Sequence, residues 1–421
     1  MSRTIGYDEV FYFHWVDVHE QTPTYYPHHL YFSTSSYLFQ KAFTALTGID
    51  NTSFIQRFKN IFITAIGLCL FFTFFYIFSK RYFLSLALSL LIGVTATVWG
   101  FVSQNETSLI PALLINLAFL SLIFYKRFPL PHLFIILFSV LCSIAILLHQ
   151  AYLLMLPSAF IVFLFTSPRN KKFPLHNLIY AVLFGFYSLA MIGGSYFYIG
   201  HVELNLSLED NEDGAQVYMA KNIKGNFFRY FYLLKSTNIW GKEFKNKHAH
   251  TLNGYGRSYW IGFDTKTIDF EKNSLRDFQP SNLVWGFICF FFVLMLVFLR
   301  KIIKNFGLIL PALLIWLIVG SRFIMWWEPW YIEHWTHLVI LSIIMFFLIT
   351  YSIVHLSKNK TIQGILANGF ALIIFLFAGF LFSWNFKDYI KPHEKLTVPG
   401  IAYQVNFWTK AHIMEGFFKN N

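Results

Sequence analysis

The run KNIFITAIGLCLFFTFFYIFSKRYFLSLALSLLIGVTATVWGF, residues 59–101, reads as two apolar spans joined by the basic pair Lys80-Arg81. Each is roughly 20 residues long, the helix length needed to cross a hydrocarbon core of ~30 Å. Working outward, the same pattern recurs until ten spans are counted, at 59–78, 82–101, 108–125, 133–149, 151–166, 177–199, 283–302, 306–326, 336–356 and 364–385. The fourth and fifth are short and are expected to be half-buried or broken helices. The chain is 56% hydrophobic and only 13% charged, more apolar surface than a soluble domain can hide. The fold class is therefore an all-α polytopic membrane protein, and the 52 Phe suit lipid-facing helices.

Orientation follows from the basic residues. Alternate loops carry Lys80-Arg81, Lys126-Arg127, Arg169 with Lys171-Lys172, Arg300-Lys301 with Lys304, and Lys358 with Lys360. These loops hold twelve of the 33 Lys and Arg and none of the 21 Asp and Glu. The net charge of +12 thus lies wholly on one face, taken as cytoplasmic, and the other face is formally neutral. The charge is a topology signal, so nucleic acid is excluded as a partner and membrane lipids are the expected surroundings.

On this reading both termini lie outside. Residues 1–58 form an outer acidic and aromatic loop, with a surface helix over 30–48. A first bundle of six spans covers 59–199, an outer cap 200–281, a second bundle of four spans 282–385, and a short outer tail 386–421. The Lys-, Asn- and Phe-rich composition suggests a bacterial inner membrane with a periplasmic active face. Cys69, Cys142 and Cys289 all fall in apolar runs and offer neither metal spacing nor a disulfide framework. No cleavable signal peptide, GxGxxG or Walker sequence is visible, and the cytoplasmic loops are too small for a nucleotide-binding domain.

Four polar clusters fall on the outer face. Asp8-Glu9 is a paired carboxylate among Tyr7, Phe11, Tyr12, Phe13 and Trp15, able to serve as general base or cation ligand, or else a solvated charge pair. Asn105-Glu106 sits in the tight turn between the second and third spans, where a carboxylate is costly without a task. Glu106 also reads as a helix-start acid. His149 lies at the joint of the two short spans, followed by Tyr152. Last comes Arg322 with Trp326-Trp327-Glu328-Pro329-Trp330-Tyr331-Ile332-Glu333-His334-Trp335. Four Trp there partly reflect an interfacial belt. The added Glu, His and Arg are the mixture that stacks on sugar rings, reads hydroxyls and grips a phosphate.

Together these residues resemble the GT-C superfamily of integral-membrane glycosyltransferases, which use lipid-phosphate sugar donors on the outer or lumenal face. The matching features are Asp8-Glu9 in the first outer loop and Pro27-His28-His29-Leu30-Tyr31 after it, then Asn105-Glu106 in the next outer turn. The late Trp-rich loop from Trp327-Glu328-Pro329 to Glu333-His334-Trp335 completes them. The family begins with a helix ahead of the first acidic loop, and this chain begins in that loop; the large C-terminal domain of many relatives is also lacking. The resemblance implies a polyprenyl-phosphate-linked sugar donor, with Asp8 as the base for an inverting attack. Glu9 or Glu106 would orient the acceptor, and Asp8 with Glu106 would be the ligands of any divalent metal, Mg or Mn. His28, His29, Asn105, His149, Arg322, Trp327, Glu328, Glu333 and His334 would line the substrate site, Arg322 and His149 meeting the leaving phosphate. The rivals are a transporter or flippase, an outer-face ligase of lipid-linked glycans, and an inactive relative. A transporter would want charges in mid-span, and spans such as 82–101, 283–299 and 338–354 hold none.

Overall fold

The computed structural model describes residues 16–17, 30–102, 107–125, 128–166, 174–199, 279–327 and 336–386. Among them every regular element is helical. The surface segment ahead of the first span is α1 (Phe32–Thr47), which ends on Gly48 in the left-handed conformation (φ 72°) that glycine adopts without strain. The spans then follow as α2 (Thr52–Ser79), α3 (Tyr82–Val94), α4 (Ala96–Val102), α5 (Leu109–Tyr125) and α6 (Pro131–Leu148). A 3₁₀ turn, Gln150–Met155, leads into α7 (Leu156–Phe165) and α8 (Pro174–Tyr198). The last four helices are α9 (Gln279–Phe306), α10 (Ile309–Trp327), α11 (Thr336–Val354) and α12 (Lys360–Trp384).

Six of these, α2, α6, α8, α9, α11 and α12, are long and apolar enough to cross a membrane. The other four predicted spans correspond to the shorter apolar helices 82–94, 109–125, 150–165 and 309–321. Three details differ from the sequence reading. The first helix starts at Thr52 rather than 59, because Asn51 caps it by accepting from the Phe54 amide at 2.9 Å; Arg57 and Lys59 therefore lie within the helix. The span expected over 82–101 is broken at Thr95, whose extended backbone (ψ 146°) separates α3 from α4. There the Thr95 hydroxyl turns back to the Ile92 carbonyl, and Asn385 donates to the Val94 carbonyl at 2.8 Å, satisfying acceptors that the helix has lost. The fourth span, expected to be half-buried or broken, is a continuous helix of 18 residues, whereas the fifth is broken as expected, a 3₁₀ turn followed by ten α-helical residues.

The helix ends gather in two groups, as an antiparallel series requires. At one end Arg81 donates to the Gln363 side chain and Asn305 to Ser352, while Phe78 packs on Phe306 and Tyr351. At the other, Tyr31 donates to the Leu147 carbonyl, Asn116 to the His337 carbonyl and Asn385 to Val94. The first group lies beside the described basic residues Lys80, Arg81, Lys304, Lys358 and Lys360, the end that the positive-inside reading takes as cytoplasmic.

Helix α11 is the axis of the assembly. Of its residues all but Tyr351 are buried, and α3, α5, α9, α10 and α12 pack around it. A helix apolar on every side has no solvent face, and here neighbouring helices fill all of its directions. Aromatic rings supply much of that packing. Phe287 of α9 lies flat on Phe377 of α12 at 3.8 Å, and Phe291 stacks on Phe346 at 4.3 Å. The outward faces are apolar too: Phe186, Phe197, Val297, Ile365 and Leu376 are each about two-thirds exposed, as bilayer contact demands.

Candidate functional site

The described part of the site is built where α5, α6, α10 and α11 meet at the end away from the basic loops. Helix α6 stops at His149, whose backbone turns to an extended conformation while its amide still donates to Ala145. The imidazole Nδ1 accepts from the Ala151 amide at 3.3 Å, which leaves Nε2 to carry the proton of the neutral ring. The side chain thereby caps the 3₁₀ turn that follows.

That turn swings Tyr152 inward. Its ring stands edge-on to His149 (5.5 Å) and to His337 (5.1 Å), and its hydroxyl donates to the Ser108 carbonyl at 3.4 Å. His337, one residue into α11, is held between Tyr152 and Trp316 of α10, the latter 5.2 Å away. Asn116 of α5 fastens the same place from below, donating to the carbonyls of Ala112 (2.8 Å) and His337 (3.0 Å). Gly320 of α10 allows the close approach, because a Cβ there would come within 3.3 Å of His337 Nε2 and 3.1 Å of Leu338.

Several polar atoms of this cluster are buried without a hydrogen-bond partner in the structure: Ser108 Oγ, Asn116 Oδ1, Trp316 Nε1 and Thr336 Oγ1. Each such group costs about 1–3 kcal/mol if left unmet. In a site lined by aromatic faces, these atoms are what a hydroxyl-bearing guest or ordered water would satisfy.

Of the residues singled out from sequence, His149 is placed in this cluster, buried and at the joint between two helices. Arg322 and Trp327 belong to α10, Arg322 six residues beyond Trp316 and Trp327 at the helix end. Asp8, Glu9, His28, His29, Asn105, Glu106, Glu328, Glu333 and His334 lie outside the described residues. The described neighbours of two of these segments are nonetheless firmly held. Leu30 is fully buried, the Tyr31 amide donates to Leu147, and Thr107 and Ser108 are buried at the start of α5. Sequence reasoning missed His337, Trp316 and Asn116. A histidine and an asparagine inside apolar spans were signal enough, since polar groups at membrane depth are functional candidates.

No protein-family model matches the chain, and no curated relative does. Solved structures do. The apo crystal structure of the oligosaccharyltransferase of Archaeoglobus fulgidus matches 90% of this chain with a TM-score of 0.51 and 14% identity. The same organism's oligosaccharyltransferase AglB, in complex with an inhibitory peptide and a dolichol-phosphate, matches 95% with the same score and identity. The likeness is one of fold, an all-helical membrane architecture shared along most of this chain. This chain spans about half of those proteins, 52% and 55% of their lengths.

Among the described residues no three of His, Cys, Asp and Glu come together as a metal-holding group. The described cluster offers imidazole, hydroxyl, amide and indole groups, whereas a hard cation such as Mg²⁺ or Mn²⁺ wants carboxylate oxygens. That part of the site does not fit such an ion.

Proposed function

We propose that this chain is an integral-membrane glycosyltransferase that moves a sugar from a polyprenyl-phosphate donor to a lipid, glycan or protein acceptor on the outer face, with inversion. The observation that carries the reading is the fold likeness to the oligosaccharyltransferases along nine-tenths of the chain. The dolichol-phosphate bound by one of the similar proteins supports a lipid-phosphate donor here. A second support is the cluster of partnerless hydroxyl, amide and indole atoms, the chemistry that meets sugar hydroxyls.

In this mechanism Asp8 takes the proton of the acceptor hydroxyl, whose oxygen attacks the anomeric carbon as its bond to the phosphate breaks. The electron pair of that bond goes to the leaving phosphate oxygen. Base catalysis of this kind contributes ~10²–10⁴-fold. Arg322, with His149 donating through Nε2, stabilises the charge that develops on the phosphate. Glu9 and Glu106 orient the acceptor, and His28, His29, Asn105, Trp327, Glu328, Glu333 and His334 complete the substrate walls. Any divalent metal would be held by Asp8 and Glu106, and no step is assigned to it.

The test is a glycan profile of the cell envelope with and without the gene, complemented by wild type and by Asp8→Asn. A missing sugar restored by wild type alone is the expected result. Equal rescue by Asp8→Asn would overturn the reading and point to a carrier or to a ligase that works without that carboxylate.

A further inference from the structure

The buried stripe of α2 changes character along its length. Its inner half is Phe71, Phe75 and Phe78, whereas the outer half is Gln56, Lys59, Asn60 and Thr64, all 3% exposed or less. These polar residues recur at three- and four-residue spacing, so they share one helix face, and α1 packs beside them. Neither α1 nor α2 contains an Asp or Glu. Lys59 Nζ donates to Ser36 Oγ at 2.6 Å and stands 4.9 Å from the centre of the Phe32 ring. Among the described residues, no carboxylate meets it.

An ammonium has three donors, and one hydroxyl with one ring face leaves two of them unused. A buried amine without a counter-charge gives up its proton more readily than one in water, and an arriving anion would hold it in the charged form. The neighbouring orphans have the opposite need. Gln56 Oε1 and Thr64 Oγ1 are buried with no partner, and an amide oxygen can only accept. The stripe therefore asks for one anion and for hydroxyl donors beside it. Phe32, which covers Lys59, is followed back along the chain by Tyr31, anchored on Leu147 two residues before His149. Lys59 thus lies beneath α1 at the same end of the bundle as the candidate site.

We infer that the outer half of α2 is a binding site for the phosphate of a lipid-linked sugar, with Lys59 holding the phosphate and Gln56 and Thr64 accepting from sugar hydroxyls. The inference rests on the proposed function for its choice of ligand. Its test does not need glycosyl transfer, so the two can fail separately.

The experiment uses the full chain in lipid nanodiscs and three probes: farnesyl phosphate, farnesol and inorganic phosphate. Farnesyl phosphate should raise the melting temperature of wild type, and farnesol at the same concentration should not. Its affinity should fall at least tenfold in Lys59→Gln and be largely kept in Lys59→Arg. Inorganic phosphate should compete only at far higher concentration. Equal shifts by farnesol and farnesyl phosphate would overturn the inference, as would unchanged affinity in Lys59→Gln. Competition by inorganic phosphate at matching concentration would equally overturn a lipid ligand. If Lys59→Gln does not fold, Thr64→Val takes its place, and unchanged farnesyl phosphate affinity in that variant would overturn the inference.

Discussion

Replacing Asn116 with Leu separates a structural role from a positioning one. The two side chains have the same number of heavy atoms and the same branching, so packing around a fully buried position changes little. What is lost is the hydrogen bond from α5 to the His337 carbonyl of α11. Between helices in a membrane such bonds average ~0.6 kcal/mol and reach ~1.7 kcal/mol. The second bond, to Ala112 one turn back on the same helix, adds little because that carbonyl already serves the helix ladder. What is gained is removal of Oδ1, buried without a partner at a cost of about 1–3 kcal/mol. The balance puts Asn116→Leu within ~1 kcal/mol of wild type or on the stabilising side. Sugar transfer should nonetheless fall, because His337 and the rings stacked on it lose their fixed register. Unfolding by SDS in bicelles gives the first quantity, and the envelope glycan profile gives the second. A loss of stability beyond ~2 kcal/mol, or wild-type transfer, would refute the assignment of Asn116 as a residue that positions the site.

Other perturbations follow from the same contacts. Gly320→Ala drives a methyl group toward His337 and Leu338 and should cost about 1–3 kcal/mol with loss of transfer. Gly369→Ala, where a Cβ meets nothing within 4 Å, should be neutral or stabilising by up to ~1 kcal/mol in the same SDS-unfolding assay. Phe377→Ala removes the ring lying flat on Phe287 and should cost about 3–5 kcal/mol, read by SDS unfolding. Asn359→Ala deletes the cap that accepts from the Thr361 and Ile362 amides and should cost ~1 kcal/mol without touching transfer.

The spans were legible because apolar length is a one-dimensional property: of the ten predicted, six are helices long enough to cross a membrane and four are shorter apolar helices. The break at Thr95 was not legible. Nothing in Gly93-Val94-Thr95 forces it alone; it depends on Asn385, some 290 residues away, bonding the freed Val94 carbonyl. His149 could be picked out because it interrupts two apolar runs. His337 and Asn116 escaped notice because each sits within a run, and only the crossing of α5 with α11 shows that they meet. The Lys59 face was hidden for a related reason: a sequence shows a basic residue near a span end, not that α1 seals it in.

The position of α11 in the chain has a consequence for biogenesis. Ribosomes deliver this helix late, next to last among the described helices, yet it is the element around which five others pack. Until residue 354 has emerged, α3, α5, α9 and α10 have no common partner, and their inner faces must wait in lipid or against one another. Assembly is therefore governed by sequence-distant pairing, with Asn116 meeting residue 337 and Phe75 meeting Phe347. A chain cut short between α10 and α11 would still lack the centre around which the earlier helices pack.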